Sequence, residues 1–168
     1  MFNLFKKKKS STNTLVSPCH GKMISIEKVA DPMFAAKSMG DGFAIQFDGD
    51  CVKSCCDGEV TVCFPTGHAF GIKTEMGNEI LIHIGIDTVE MKGEGFEVKV
   101  TPGTKVKKGD LLVTYTRQNS SYEISINVIA PCSGTIFLFS ENGTNYGVIS
   151  SSMDNIDSVK AWALKKGK

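Results

Sequence analysis

The chain has 168 residues, with 19 Lys and Arg against 18 Asp and Glu and a formal net charge of +1. That length makes one domain the default, with room for a real core, and the near-zero charge gives no strong electrostatic case for a nucleic-acid partner. Hydrophobic content is an ordinary 41%, and 17 glycines cut it into short runs, which predicts an all-β or mostly β domain. No apolar run approaches the roughly 18 residues of a membrane span, and the N-terminus lacks a secretory h-region. The expected location is therefore the cytoplasm, with the six cysteines reduced.

Residues 1 to 14, MFNLFKKKKSSTNT, read as a flexible basic tail, and residues 15 to 168 as a single domain. The alternative for the tail is a weak membrane-surface contact at the inner face, with Phe2, Leu4 and Phe5 entering lipid and Lys6 to Lys9 meeting anionic headgroups. Three short turns follow along the chain: SPCHG at 17 to 21, SCCDG at 54 to 58 and APCSG at 130 to 134. Each ends in Gly and feeds a strand-like run, KMISI, EVTVCF and TIFLF, so a recurring turn is expected to build the sheet. Cys19, Cys56 and Cys132 share one place in these turns, where a small side chain fits a tight corner. Cysteine spacing offers no C-x-x-C motif, and Cys19 beside His20 is a weak start for a metal site.

Between the first two turns, Asp31-Pro32 marks a turn, Phe34 to Met39 one or two helical turns, and FAIQF a strand. Further on, AFGIKT (69 to 74) and EILIHIGID (79 to 87) read as the two strands of a hairpin. Ile80, Ile82, Ile84 and Ile86 fall on every second position and define a core face; Leu81, His83 and Gly85 take the other. With EMGN as a four-residue loop, Phe70 faces His83 and His68 faces Gly85, which makes the two histidines diagonal neighbours at roughly 7 Å. A Gly77-Asn78 loop keeps them on one face but further apart, and an odd loop puts them on opposite faces. The strands KGEGFEVKV and LLVTYT, a polar loop at 117 to 121 and a short helix at 155 to 164 complete the expected elements.

Two imidazoles on one face, ringed by apolar residues, can act as nucleophile, base or metal ligand, because the ring is largely neutral near pH 7. His68 follows FPTG, with Thr66 close enough to bond one ring nitrogen. A G-x-S-x-G elbow, an H-E-x-x-H helix and a P-loop are all missing from the sequence. What remains is phosphoryl or metal chemistry on the imidazoles themselves.

Residues 64 to 96, FPTGHAFGIKTEMGNEILIHIGIDTVEMKGEGF, resemble the signature of the glucose-type enzyme IIA domain of the bacterial sugar phosphotransferase system. VADPMFAAKSMGDGFAI (29 to 45) and SPCHGKMISIE (17 to 27) resemble its opening. The resemblance implies a compact antiparallel β sandwich or barrel that carries a phosphoryl group. It implies phosphorylation of His83 on Nε2 by the carrier protein HPr, with the other nitrogen donating to the carbonyl of Gly85. His68, oriented by Thr66, would bond the phosphoryl oxygens. Asp31 and Asp87 would face basic partner residues at the rim, and Phe34, Phe64, Leu81 and Val89 would form an apolar docking patch. The group would then pass to a cysteine in the IIB domain of a sugar transporter. No cofactor is required; His68 and His83 could hold zinc where a partner supplies a carboxylate.

Residues 117 to 168 depart from that family pattern. An extra run, INVIAPCSGTIFLF, precedes the family-like NYGVISSSMDNI, and the closing VxxGDxxxxI strand is not recognisable. A second function class therefore stands beside the phosphocarrier: a regulatory module that keeps the fold and binds other proteins without phosphate turnover. The VxPGxxVxxGDLL turn pattern also suggests a lipoyl- or biotin-type swinging-arm carrier, but no lysine sits in a recognisable attachment context.

Overall fold

The computed structural model of the chain describes residues 12–116, 125–130, 135–141 and 144–150. In chain order these form β1 (Thr12–Val16), β2 (Gly21–Ser25), a one-turn helix α1 (Pro32–Ala35), β3 (Asp41–Phe47), β4 (Cys51–Lys53), β5 (Gly58–Cys63), β6 (Ala69–Lys73), β7 (Glu79–Ile84), β8 (Phe96–Val98), β9 (Lys105–Val106), β10 (Leu111–Tyr115), β11 (Ser125–Ala130), β12 (Thr135–Glu141) and β13 (Thr144–Ser150). Two single-turn 3-10 segments, Ile26–Lys28 and Thr88–Met91, complete the described elements. The expected all-β class holds, and every described strand pair is antiparallel.

A seven-stranded sheet runs β2-β3-β11-β7-β6-β5-β9, beside two three-stranded sheets, β4-β10-β8 and β1-β13-β12. One core joins the large sheet to the second. Phe43, Ile45, Phe70, Ile72, Ile80, Ile82 and Ile84 from the former meet Val52, Leu112, Val113 and Tyr115 from the latter. Each isoleucine fully enclosed this way contributes roughly 1.5–3 kcal/mol relative to exposure. A smaller cluster, Ile26, Val29, Phe34 and Ala44, lies apart from that core, with Leu81 packed against it.

The recurring turn is real in its two described copies. Ser17 Oγ donates to the Cys19 carbonyl and Ser54 Oγ to the Cys56 carbonyl, each at 2.7 Å. Each turn bends on a side-chain bond to the backbone two residues on, then releases the chain into β2 or β5. The third copy, around Cys132, lies outside the described residues, as does the helix expected at 155 to 164. Cys55 and Cys56 are buried, Cys19, Cys51 and Cys63 half-buried, and all five are free thiols. Burial, with Cys51 nearby, pushes the Cys19 thiol up to about 12. His20 bonds Asp48 at 3.1 Å on the open surface, while the neighbouring Cys19 thiol is half-buried.

Two expectations need correction. Residues 12 to 14, read as part of a flexible tail, lie in β1, where Thr12, Asn13 and Thr14 pair with Ser150, Ile149 and Val148. The helix starts at Pro32, not Phe34, because Asp31 caps it: its Oδ1 accepts from the backbone N–H groups of Met33 and Phe34 at 2.8 and 3.4 Å. The left-handed conformation of Lys37, φ 56°, then closes it. The segment that departs from the family pattern contributes to the large sheet. Within it, β11 pairs on one side with β3 and on the other with β7, so it completes the middle of the large sheet.

Candidate active site

The β6–β7 ladder pairs Lys73 with Glu79, Phe70 with Ile82 and Ala69 with His83. The connection is thus residues 74 to 78, five residues rather than four. Thr74 leaves the strand because its backbone N–H and side-chain oxygen both bond Asn78, at 2.8 and 3.1 Å. An odd loop should have parted the histidines across the sheet, yet their rings stand 5.3 Å apart, edge to face at 82°. The alternation argument fails because His68 precedes the first ladder residue. A tight loop, closed by Gly67 N–H to Phe64 O at 2.8 Å and Phe64 N–H to Ala69 O at 3.1 Å, turns at Gly67 with φ +69°. There the backbone is not pleated, so the side chain is free of the two-residue period. The small Ala69 opposite His83 leaves room for the ring.

His83 lies on the outward row of β7, alternating with the enclosed Ile82 and Ile84. Phe34 covers one side of its ring at 4.9 Å, and Phe64 packs on His68 at 5.2 Å. Thr66 Oγ1 bonds His68 Nδ1 at 2.5 Å, as expected from their spacing, and this leaves Nε2 for a ligand. The His68 carbonyl accepts from the Ile84 N–H at 2.8 Å, so the two histidine backbones are tied directly.

Burial pushes the pKa of His68 below the usual imidazole value. His83 is lowered by burial first and by His68 second; the backbone of Gly85 and the carboxylates of Asp31 and Asp87 oppose the shift. Both shifts favour the neutral ring, whose lone pair is available. Nδ1 of His83 is buried and makes no complete hydrogen bond among the described residues, although the Gly85 backbone is near enough to favour a proton on the ring. Gly85, the expected partner, is thus the backbone group that acts on this ring.

Around the pair, Phe64 is 42% and Val89 53% exposed, and Leu81 is half-buried. Phe34 is 6% exposed, so it backs the patch from beneath rather than forming its surface. Asp31 is held at the rim by its capping role, and Asp87 is exposed in a left-handed conformation, φ 55°. Met33, 56% exposed beside Phe34, and Met39, 42% exposed beyond the helix, were not singled out in the sequence. Asn127 of β11 occupies the register position directly opposite His83, between it and Ala44. No local pattern announces Asn127, since its neighbour lies 44 positions earlier (127 minus 83) in the ladder. No cluster of three or more His, Cys, Asp or Glu suited to a metal exists among the described residues.

The sequence pattern of the phosphoenolpyruvate-dependent sugar phosphotransferase system EIIA 1 family matches residues 13–124. A glucose-specific EIIA component of Bacillus cereus is 47% identical over 117 residues, spanning 67% of this chain and 71% of that protein. A glucose-specific EIIA component of Staphylococcus aureus is 40% identical over 139 residues, 79% of this chain and 84% of its own. A glucose-specific EIICBA component of Streptococcus pneumoniae is 49% identical over 106 residues, 63% of this chain but 15% of that longer protein. Among solved structures, the glucose permease IIA from Mycoplasma capricolum superposes with a TM-score of 0.72 at 34% identity, covering 84% of this chain and 93% of its own.

Antiparallel sheets presenting two neutral, apposed imidazoles, together with these relatives, define a β-sandwich phosphotransferase component. The chain belongs to the EIIA 1 family of the phosphoenolpyruvate-dependent sugar phosphotransferase system.

Proposed function

We propose that His83 is the phosphoryl acceptor, through Nε2, taking the group from phosphorylated HPr and passing it to the IIB domain of a sugar transporter. The observation that carries this reading is the imidazole pair with ring centres 5.3 Å apart in an apolar surround, where burial favours the neutral form of both. A neutral ring offers its lone pair to phosphorus. The P–N bond of the donor phosphohistidine breaks as the new one forms, and the electron pair returns to the donor ring. In the second step a cysteine thiolate of the IIB domain attacks, and the pair returns to His83. Such transfer needs alignment and charge stabilisation more than covalent machinery.

His68 serves the second need. With Nδ1 tied to Thr66, its Nε2–H can donate to the phosphoryl oxygens in a half-dry site, where such a bond counts for more than in water. Phe64, Val89 and Leu81 give a partner an apolar seat over the Phe34 floor, and Asp31 and Asp87 give basic partner residues a charged rim, the usual division between interface core and rim. The fusion of C, B and A units in the streptococcal relative supports a IIB domain as acceptor. The same two imidazoles would supply half of a tetrahedral zinc shell, so a zinc ion would need a carboxylate from a regulatory partner. Work in the cytoplasm, beside the transporter at the inner face of the membrane, follows from these partners; no described helix is long and apolar enough to cross a membrane.

The test is incubation with phosphoenolpyruvate, enzyme I and HPr. One acid-labile phosphate per chain is expected. Protein that stays unlabelled yet captures partners in its unphosphorylated form would instead favour the regulatory module.

A further inference from the structure

Next to the pair of imidazoles, a polar side chain among the described residues is completely enclosed. Thr88 is 0% exposed, and its hydroxyl donates to the carbonyl of Ile84. The N–H of the same residue donates to the His68 carbonyl on the other side. Ile84, the residue after His83, is thus held through both its backbone groups, by His68 and by Thr88. Its methyl also fixes the turn: a Cβ built on Gly85, whose φ is +75°, would meet Thr88 Cγ2 at 2.3 Å. The left-handed turn at Gly85 and Asp87 therefore closes around this one side chain, which occupies the space a residue-85 side chain would take.

We propose that Thr88 is a positioning residue for the phosphoryl acceptor: by locking the turn from Ile84 to Thr88, it presents the Gly85 carbonyl to Nδ1 of His83. Nδ1 is buried without a hydrogen bond of full geometry, and the Gly85 backbone is the hydrogen-bonding group that acts on this ring, so the placing of the turn bears on that bond. The bond matters for chemistry on the far nitrogen. A proton held on Nδ1 leaves the Nε2 lone pair free to attack, and it offsets charge as the P–N bond forms. The described charged and titratable groups acting on this ring are His68, Asp31 and Asp87. Asp87 precedes Thr88 in the same turn, and no side-chain bond joins Thr88 to His68 or Asp31, so a change at Thr88 acts through the turn. The inference deepens the reading of His83 as acceptor, but its first readout needs no phosphate.

The experiment compares Thr88→Val, which keeps the shape and loses the hydroxyl, with Thr88→Ser, which keeps the hydroxyl. Nitrogen-15 NMR of the histidine rings, followed against pH on the full chain, reads the tautomer of each ring. In Thr88→Val the Nδ1–H tautomer of His83 should decline and its titration midpoint should move to lower pH, with His68 unchanged. Thr88→Ser should restore both values. Transfer from phosphorylated HPr should slow roughly tenfold in Thr88→Val at an unchanged half-saturating HPr concentration, as expected for lost alignment rather than lost docking. A folded Thr88→Val whose His83 spectrum matches the parent overturns the proposal, as does Thr88→Ser behaving like Thr88→Val. Should Thr88→Val not fold, the parent protein decides: a slowly exchanging Thr88 hydroxyl proton coupled to the Ile84 carbonyl is expected, and a freely exchanging one refutes the lock. A chain that takes no phosphate on His83 but shows these ring shifts would defeat the acceptor reading alone.

Discussion

Along β7 the inward side chains, Ile80, Ile82 and Ile84, are enclosed to 1% exposure or less, whereas the outward ones, Leu81 and His83, stay half-buried. The inward row meets Phe70 and Ile72 of β6 and the β10 core, where its value is area removed from water. The outward row faces Ala69 and Gly71 of β6, small residues that leave room for a ring and a docking partner. One strand thus separates stability from chemistry at single-residue intervals. Substitutions on the two rows should therefore fail in different assays.

The largest effect is expected on the outward row. His83→Ala should remove all labelling by phosphorylated HPr, while thermal unfolding shows the protein still folded. His68→Gln should accept phosphate but pass it on slowly, a loss of roughly a hundredfold or more in single-turnover transfer to a IIB domain, the size seen when one stabilising donor is removed. On the inward row, Ile82→Ala should cost about 2–5 kcal/mol in denaturant unfolding, with the folded fraction still labelled at His83. An Ile82→Ala protein that is stable but cannot be labelled would break the separation. A smaller effect is expected at the patch: Phe64→Ala should raise the half-saturating HPr concentration several-fold and leave the maximal rate alone.

How much of this was legible beforehand divides along the same line. The two-residue period of Ile80, Ile82 and Ile84 exposed the core row, and the FPTGH stretch with Thr66 announced the His68 bond, because both are local. The register was misread at Thr74, whose bonds to Asn78 lengthen the loop by one residue, information carried by a side chain rather than by periodicity. That error did not separate the histidines only because the Gly67 bend takes His68 out of the ladder. Strand β4 is three residues and β9 two, too short for any period to show. Asn127 was missed because pairing across the middle of a sheet leaves no trace in nearby sequence. Thr88 was missed because a buried threonine after a turn looks like any other until the glycine it fills is seen.

The smallest effect expected is on stability against pH, and it sharpens the account of the pair. Both imidazoles are lowered by burial, so between the folded and unfolded values the unfolded chain binds more protons. Their contribution is present above the unfolded value of about 6.5 and is lost as pH falls below it. Melting temperature should therefore decline on acidification from pH 7 to 5, and the decline should be shallower in a His68→Gln, His83→Gln double variant. An equal slope in the two proteins would mean the rings are not desolvated.

The central claim is that one defined nitrogen carries the group. Phosphorus-31 and nitrogen-15 NMR on the ring-labelled, phosphorylated protein measures this directly. A one-bond phosphorus–nitrogen coupling to Nε2 of His83 is the expected result. Coupling to Nδ1, or to any nitrogen of His68 or His20, would contradict it.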